Sequence, residues 1–251
     1  MNVLVCVKRV PLTGGKIVLT EDERAISTRH LGFTVSPHEE CGAEEAVRLI
    51  EQHGGTSTAL TLGPAEAEEQ LRDLMAIGID TGIHLVTDGS EWDPQAAAAA
   101  IVAAVRAHPE PFDLILFGNE SADAGNFQVQ VRVAQALGLP VVNGIKAISL
   151  EGATLRCEQE TSAGRDVFEV PLPAVVSVKE GINLPRYPSV PGRMRAKRKP
   201  IDASRPAKPE PRLAMMRLVL PEASNKQAEV LGRGAEAAPA VVEILQSIGV
   251  M

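Results

Sequence analysis

Four short apolar runs, Val3 to Val7, Thr58 to Leu62, Ile83 to Thr87 and Asp113 to Phe117, are separated by stretches long enough to hold helices. No other feature limits the fold as strongly. Strands this apolar are buried on both faces, and helix-length crossovers between them are what a parallel sheet requires. The intervening stretches carry helix signals. Ser36 precedes Pro37, with Glu39 three residues after the cap, and Ala43, Ala46, Val47 and Ile50 follow at helical spacing until Gly54-Gly55. Further helices are expected from about Ala65 to Ile77 and, after the cap Asp93, from Pro94 to Ala107. The expected fold class is α/β, a doubly wound parallel sheet in a three-layer sandwich.

Beyond Pro140 the period changes. Ala147 to Leu150, Thr154 to Glu160 and Asp166 to Val170, joined by Glu151-Gly152 and Ser162-Ala163-Gly164 turns, read as antiparallel hairpin strands. Ala174 to Val178 is apolar enough to return to the main sheet. From Gly181 to Pro211 there are seven prolines and no sustained periodicity, so an extended arm reaching away from the body is expected there. A last helix is expected over Pro239 to Ser247. The domain reading is therefore 1–180 for the α/β body, 181–211 for the arm and 212–251 for a C-terminal tail.

Several functional classes fall away. No apolar stretch approaches the roughly 18 to 20 residues of a membrane span, and Met1 to Val10 lacks a cleavage site, so a cytoplasmic protein is expected. Cys6, Cys41 and Cys157 form neither a disulfide framework nor a metal-ligand pattern. A net charge of -7 and seven aromatics (five Phe, one Trp, one Tyr) speak against a nucleic-acid surface. There is no Gly-x-Gly-x-x-Gly after the first strand, no phosphate-binding Gly-x-x-x-x-Gly-Lys and no Gly-x-Ser-x-Gly elbow. His38 reads as an exposed or packing residue, Cys6 as an inert core thiol and Trp92 as a staple-type contact.

In a doubly wound sheet, ligands sit at the carboxyl ends of the strands. The loops after Val7, Leu62 and Phe117 and the helix starting at Ser36 are the places to look. Gly63-Pro64 leaves backbone open to close approach. Gly118 to Gln128 offers backbone donors ahead of a helix, either as a phosphate cradle or as a plain polar connection. Arg193, Arg195, Lys197, Arg198 and Lys199 put five basic residues in seven, beside Tyr187 and Val190. Such a run is a solvated face or, next to an extended apolar segment, a partner-docking patch.

These segments, in this order, resemble the β subunit of electron transfer flavoproteins over almost the whole chain. The opening Val3-Leu-Val-Cys-Val-Lys-Arg-Val-Pro, the Ser36-Pro-His-Glu-Glu and Glu44-Glu-Ala-Val-Arg-Leu stretches, and Leu62-Gly-Pro-Ala are similar to that family's motifs. So are Ala76-Ile-Gly-Ile-Asp-Thr-Gly-Ile-His, Asp113-Leu-Ile-Leu-Phe-Gly, Leu172-Pro-Ala-Val-Val-Ser-Val and Asn183-Leu-Pro-Arg-Tyr-Pro-Ser-Val-Pro-Gly-Arg-Met-Arg-Ala-Lys-Arg-Lys-Pro-Ile.

The resemblance implies a heterodimer with an α subunit, one FAD held mostly by α, and a nucleotide in β, usually AMP. It implies nucleotide contacts at Cys6, at Ser36, Pro37, His38 and Glu39, at Leu62 and Gly63, and at Asp123, Asn126, Phe127, Gln128 and Val129. It also implies a loop, Arg186, Tyr187, Val190 and Pro191, that docks flavin-dependent dehydrogenases, with Val190 as the apolar anchor, and a C-terminal helix that packs on the partner subunit. Electrons would pass through the FAD towards a quinone-reducing acceptor, and no acid–base catalytic residue is required. The loop retains Asp123, Gln128 and Val129 of a stretch that commonly reads Asp-Gly-Asp-Thr-Gly-Gln-Val-Gly-Pro, but carries Phe127. Two other readings stand beside this one: a bifurcating subunit with a second FAD and NADH oxidation, and a stand-alone adenine-nucleotide sensor.

Overall fold

The structure is a computed structural model, described here for residues 1–12, 14, 17–221 and 230–250. Its strands and helices alternate as the apolar runs require. β1 (Asn2–Val7) leads through the short strands β2 (Arg9–Pro11) and β3 (Phe33–Val35) to α1 (Pro37–His53). Then come β4 (Thr56–Gly63), α2 (Glu68–Ile77), β5 (Thr81–Val86), α3 (Pro94–Ala107), β6 (Leu114–Gly118) and α4 (Val129–Leu137). The remaining elements are β7 (Val141–Glu151), β8 (Thr154–Thr161), β9 (Gly164–Pro171), β10 (Ala174–Val178), α5 (Val190–Ala196), β11 (Ile201–Ser204) and α6 (Ala238–Ser247).

Nine strands form the main sheet in the order β11-β5-β4-β1-β6-β10-β7-β8-β9, while β2 and β3 pair antiparallel outside it. Pairing is parallel from β11 to β7 and antiparallel from β7 to β9. The chain lays β4 and β5 on one side of β1, crosses to β6 and builds the other side, and returns at the end to add β11 beside β5. The β1–β6 junction is therefore the topological switch point, where such sheets hold ligands. Alternation along β1 splits the core. Val3, Val5 and Val7 face an apolar layer shared with α1 and α2, and Leu4 and Cys6 face one shared with α3 and α4.

Local chemistry sets the helix starts. Glu39 reaches back so that its carboxylate accepts the Ser36 N–H at 3.3 Å, and Asp93 accepts the Ala96 N–H at 2.8 Å. Trp92 packs against the second apolar layer.

Two expectations need correction. The antiparallel stretch from Ala147 to Leu150 pairs with β8 as expected, but its strand is longer, because β7 starts at Val141 and first pairs parallel with β10. Residues 181–204 also do not reach away from the body. Ser189 caps α5 by accepting the Gly192 N–H at 3.1 Å, and α5 packs on α2. A Cβ at Gly192 would lie 2.4 Å from the Ala76 carbonyl oxygen, so only glycine permits that approach. The Arg72 guanidinium donates to the Ala196 and Lys199 carbonyls at 2.8 and 2.7 Å. Lys199 in turn donates to the Met75, Gly78 and Ile79 carbonyls, at the end of α2 and just past it. β11 then joins the sheet edge beside β5. Even Arg212 and Leu213 are tied back, their N–H groups donating to Asp93. A seven-residue helix and a four-residue strand are too short to show a period among prolines.

Candidate functional site at the β1–β6 junction

Four chain segments meet at the carboxyl ends of β1 and β6, and hydrogen bonds join them. The Glu39 carboxylate, 6% exposed, lies at the centre and accepts the N–H groups of Lys8 at 3.1 Å and Ser36 at 3.3 Å. Gly118 ends β6 against this turn. A Cβ there would meet Glu39 Cγ at 2.6 Å and His38 Cβ at 3.1 Å, so the glycine lets the helix start sit on the strand end. The Ser36 hydroxyl points to the Glu120 carbonyl at 3.5 Å. His38 Nδ1 accepts the Glu180 N–H at 2.9 Å, which leaves any neutral-ring proton on Nε2, facing Glu120 Oε1 at 3.6 Å. Across the opening, Lys8 Nζ and Asp123 form an ion pair at 2.6 Å that ties the end of β1 to the 119–128 loop.

Burial dominates the electrostatics. It pushes the Glu39 carboxyl up from 4.5 to about 7, against the pull of its two N–H donors and of Lys8. Burial also drives the Cys6 thiol far above its ordinary value, with Glu39 adding to the effect, so Cys6 is an inert core residue.

Of the residues expected at the nucleotide, Ser36, His38, Glu39 and Asp123 come together through this network, Cys6 lies in the core near the end of β1, and Pro37 is the exposed first residue of α1. Leu62 and Gly63 end the neighbouring strand β4, where the Gly63 and Pro64 carbonyls meet His84 Nε2 at 3.3 and 3.0 Å. Asn126, Phe127, Gln128 and Val129 lead into α4 and share no hydrogen bond with Ser36 to Glu39 among the described residues. Gln128 turns its side-chain oxygen to Arg132, at 3.2 and 2.9 Å, and gives the helix no side-chain cap. The first N–H groups of α4 thus carry no capping side chain, which is the donor set an anion requires. Phe127 is half exposed at φ 55°, a left-handed conformation unusual for a bulky residue. The residue pattern singled out neither Lys8 nor Glu180, because their partners lie 115 and 142 positions away and leave no local signal.

A second feature lies on the surface formed by α1 and the 183–193 segment. Arg186, expected to dock a partner, is about a third exposed and holds two carboxylates of α1. Its guanidinium holds Glu44 at 2.9 and 3.0 Å and Glu51 at 2.6 and 2.9 Å, and its N–H adds a bond to Glu44 at 3.2 Å. The Glu44 carboxylate is 2% exposed and also accepts Arg48 at 2.8 Å. Burial opposes its ionisation, but Arg186 and Arg48 outweigh burial and hold the group below its usual range. Asn183 adds bonds to Cys41 and Glu45. So anchored, the segment presents Tyr187, 97% exposed, and Val190, 77% exposed. Apolar side chains this exposed on a tethered segment have the form of interface anchors.

Among the described residues, no helix is long and apolar enough to cross a membrane, and no group of three or more His, Cys, Asp or Glu residues is placed to hold a metal ion.

Comparison with known proteins gives a consistent result. A family model described as the electron transfer flavoprotein domain matches residues 25–209. The electron transfer flavoprotein subunit beta of Bacillus subtilis is 32% identical over 254 residues, covering 98% of each chain. That of Syntrophomonas wolfei is 37% identical over 224 residues, covering 89% of this chain and 87% of its own. The human protein of the same description is 34% identical over 208 residues, covering 82% of both chains.

Proposed function

The chain belongs to the electron transfer flavoprotein β-subunit family, and from that premise we propose that it works as an electron carrier with an α subunit, binding a nucleotide at the β1–β6 junction and docking flavin-dependent dehydrogenases through Tyr187 and Val190. The observation that carries the nucleotide reading is the α4 start, which lacks a capping side chain and opens beside the switch point of the sheet. The donors there suit a phosphate, and the Ser36 to Glu39 turn lines the opposite side. In this reading the second nucleotide is AMP, and the FAD shared with α supplies the redox chemistry when bound.

The residues of this chain have binding and orienting work to do. Lys8 and Asp123 hold the two walls of the site together, and Glu39 fixes the start of α1 against β1. His38 keeps a donor turned towards the loop. Arg186 is reassigned from docking contact to tether, because both of its faces are spent on Glu44 and Glu51. The amphipathic α6, with Val241, Val242 and Ile244 each about two-fifths exposed, suits a helix that packs on the α subunit.

The test is nucleotide extraction from the chain co-purified with its α subunit, with FAD and AMP quantified per heterodimer by chromatography. One FAD with one AMP is the expected result. Two FAD without AMP would replace the carrier reading with electron bifurcation. One FAD alone would show that the β site binds no nucleotide.

A further inference from the structure

Between Asn183 and Pro200 the chain carries six cations, Arg186, Arg193, Arg195, Lys197, Arg198 and Lys199, and no acid, although its net charge is -7. Three of the six are engaged within the fold. Arg186 holds Glu44 and Glu51, Arg193 meets Asp73 at 3.3 Å, and Lys199 donates to the carbonyls at the end of α2. Arg195, Lys197 and Arg198 are exposed and pair with no carboxylate among the described residues.

The two faces of α5 differ in kind. Gly192 and Ala196, four residues apart, are buried, with Gly192 against the Ala76 carbonyl and Ala196 packed with Met75 and Ala76 of α2. Val190 and Met194, also four apart, share the other face and are 77% and 57% exposed. Tyr187, 97% exposed, precedes them on the same segment, and the three unpaired cations all lie within four residues of Met194. Because Arg195 and Arg198 are three apart, and no acid stands between them, their like charges repel, and carboxylates brought by a partner would relieve that repulsion.

We propose that the dehydrogenase docking on Val190 meets α5 with an apolar pocket rimmed by aspartate and glutamate carboxylates, the pocket taking Val190 and Met194 and the rim pairing with Arg195, Lys197 and Arg198. The proposal rests on the docking reading above and adds the charge of the partner's face. A basic rim would meet three uncompensated cations and be repelled, so the surface also selects against partners of the wrong sign. An apolar centre supplies burial, while opposite charges at the edge speed encounter and fix register.

The test is steady-state reduction of the assembled heterodimer, at low and high sodium chloride, by a flavin-dependent dehydrogenase purified for its ability to reduce it. One variant combines Arg195→Gln, Lys197→Gln and Arg198→Gln, and another, Val190→Ser, removes the apolar anchor without changing the charge. KM for the unaltered heterodimer is expected to rise with salt. The glutamine variant is expected to raise KM about tenfold at low salt and to flatten its salt dependence, with kcat and FAD content unchanged. A KM that ignores salt, or one that the glutamine variant leaves unchanged, with reduction lost in Val190→Ser, would overturn the acidic-rim proposal and leave docking in place. If Val190→Ser were reduced normally, the docking reading itself would fall. Should the triple variant not assemble, Lys197→Glu, a single change on the exposed turn after α5, decides the matter by the same rise in KM.

Discussion

Replacing Arg186 with alanine should loosen the 183–193 segment at its root, and the structure gives the size of the effect. Glu44 is 2% exposed, and its carboxylate accepts four bonds, three of them from Arg186 and one from Arg48. Alanine removes the two guanidinium bonds but keeps the backbone N–H and Arg48. Breaking a buried ion pair outright costs about 3–5 kcal/mol. With Arg48 still in place, and Arg186 itself about a third exposed, roughly 2 kcal/mol is expected. The Glu51 pair is exposed and adds about 0.5 kcal/mol at most. The assay is equilibrium urea unfolding of the full-length chain in a double-mutant cycle of Arg186→Ala with Glu44→Gln. A coupling energy above about 1 kcal/mol is expected, since the two side chains are in direct contact. Coupling within about 0.3 kcal/mol of zero would refute the reasoning, because the segment would then be held by something other than this pair.

Further outcomes follow from the junction and the docking segment. Glu39 holds its proton up to about pH 7 when folded and only to about 4.5 when unfolded, so its burial lowers stability progressively as pH rises between those values. Glu39→Gln should therefore stabilise the chain by roughly 2–3 kcal/mol at pH 8 and by little at pH 4, and a pH-independent effect in urea titrations would contradict this. Gly118→Ala forces a methyl against Glu39 and His38 and should cost about 1–3 kcal/mol, measured by the same unfolding. Lys8→Ala breaks an ion pair that is partly solvated, so stability should change by less than about 1 kcal/mol while AMP retention falls on desalting; unchanged retention would remove Lys8 from the site. Val190→Asp should stop reduction by the dehydrogenase and leave flavin content intact, as read by stopped-flow absorbance and FAD quantification.

The body of the fold was legible because its signals are local. Wholly apolar runs such as Val3 to Val7 can only be strands buried on both faces, and Ser36-Pro37 with Glu39, or Asp93-Pro94, marks a helix start within four residues. Residues 181–204 were not legible in the same way. Their helix and strand are fixed by contacts with α2 and β5 more than a hundred residues earlier, through Arg72, Lys199 and the close packing of Gly192 on Ala76. The start of β7 failed for a related reason, since one strand serves two partners of opposite direction and its pattern changes midway.

The candidate site divides along the same line. The sequence by itself determined the parallel sheet, the carboxyl-end location of the site and the segments that border it, because apolar period, caps and glycines act over a few residues. Only the tertiary structure decided that Glu39 is a buried carboxyl joining Lys8 to Ser36, that Lys8 pairs with Asp123, and that Arg186 is a tether. Charge pairing and burial depend on which distant residues the fold brings within a few ångströms, and that information lies in the topology of the sheet.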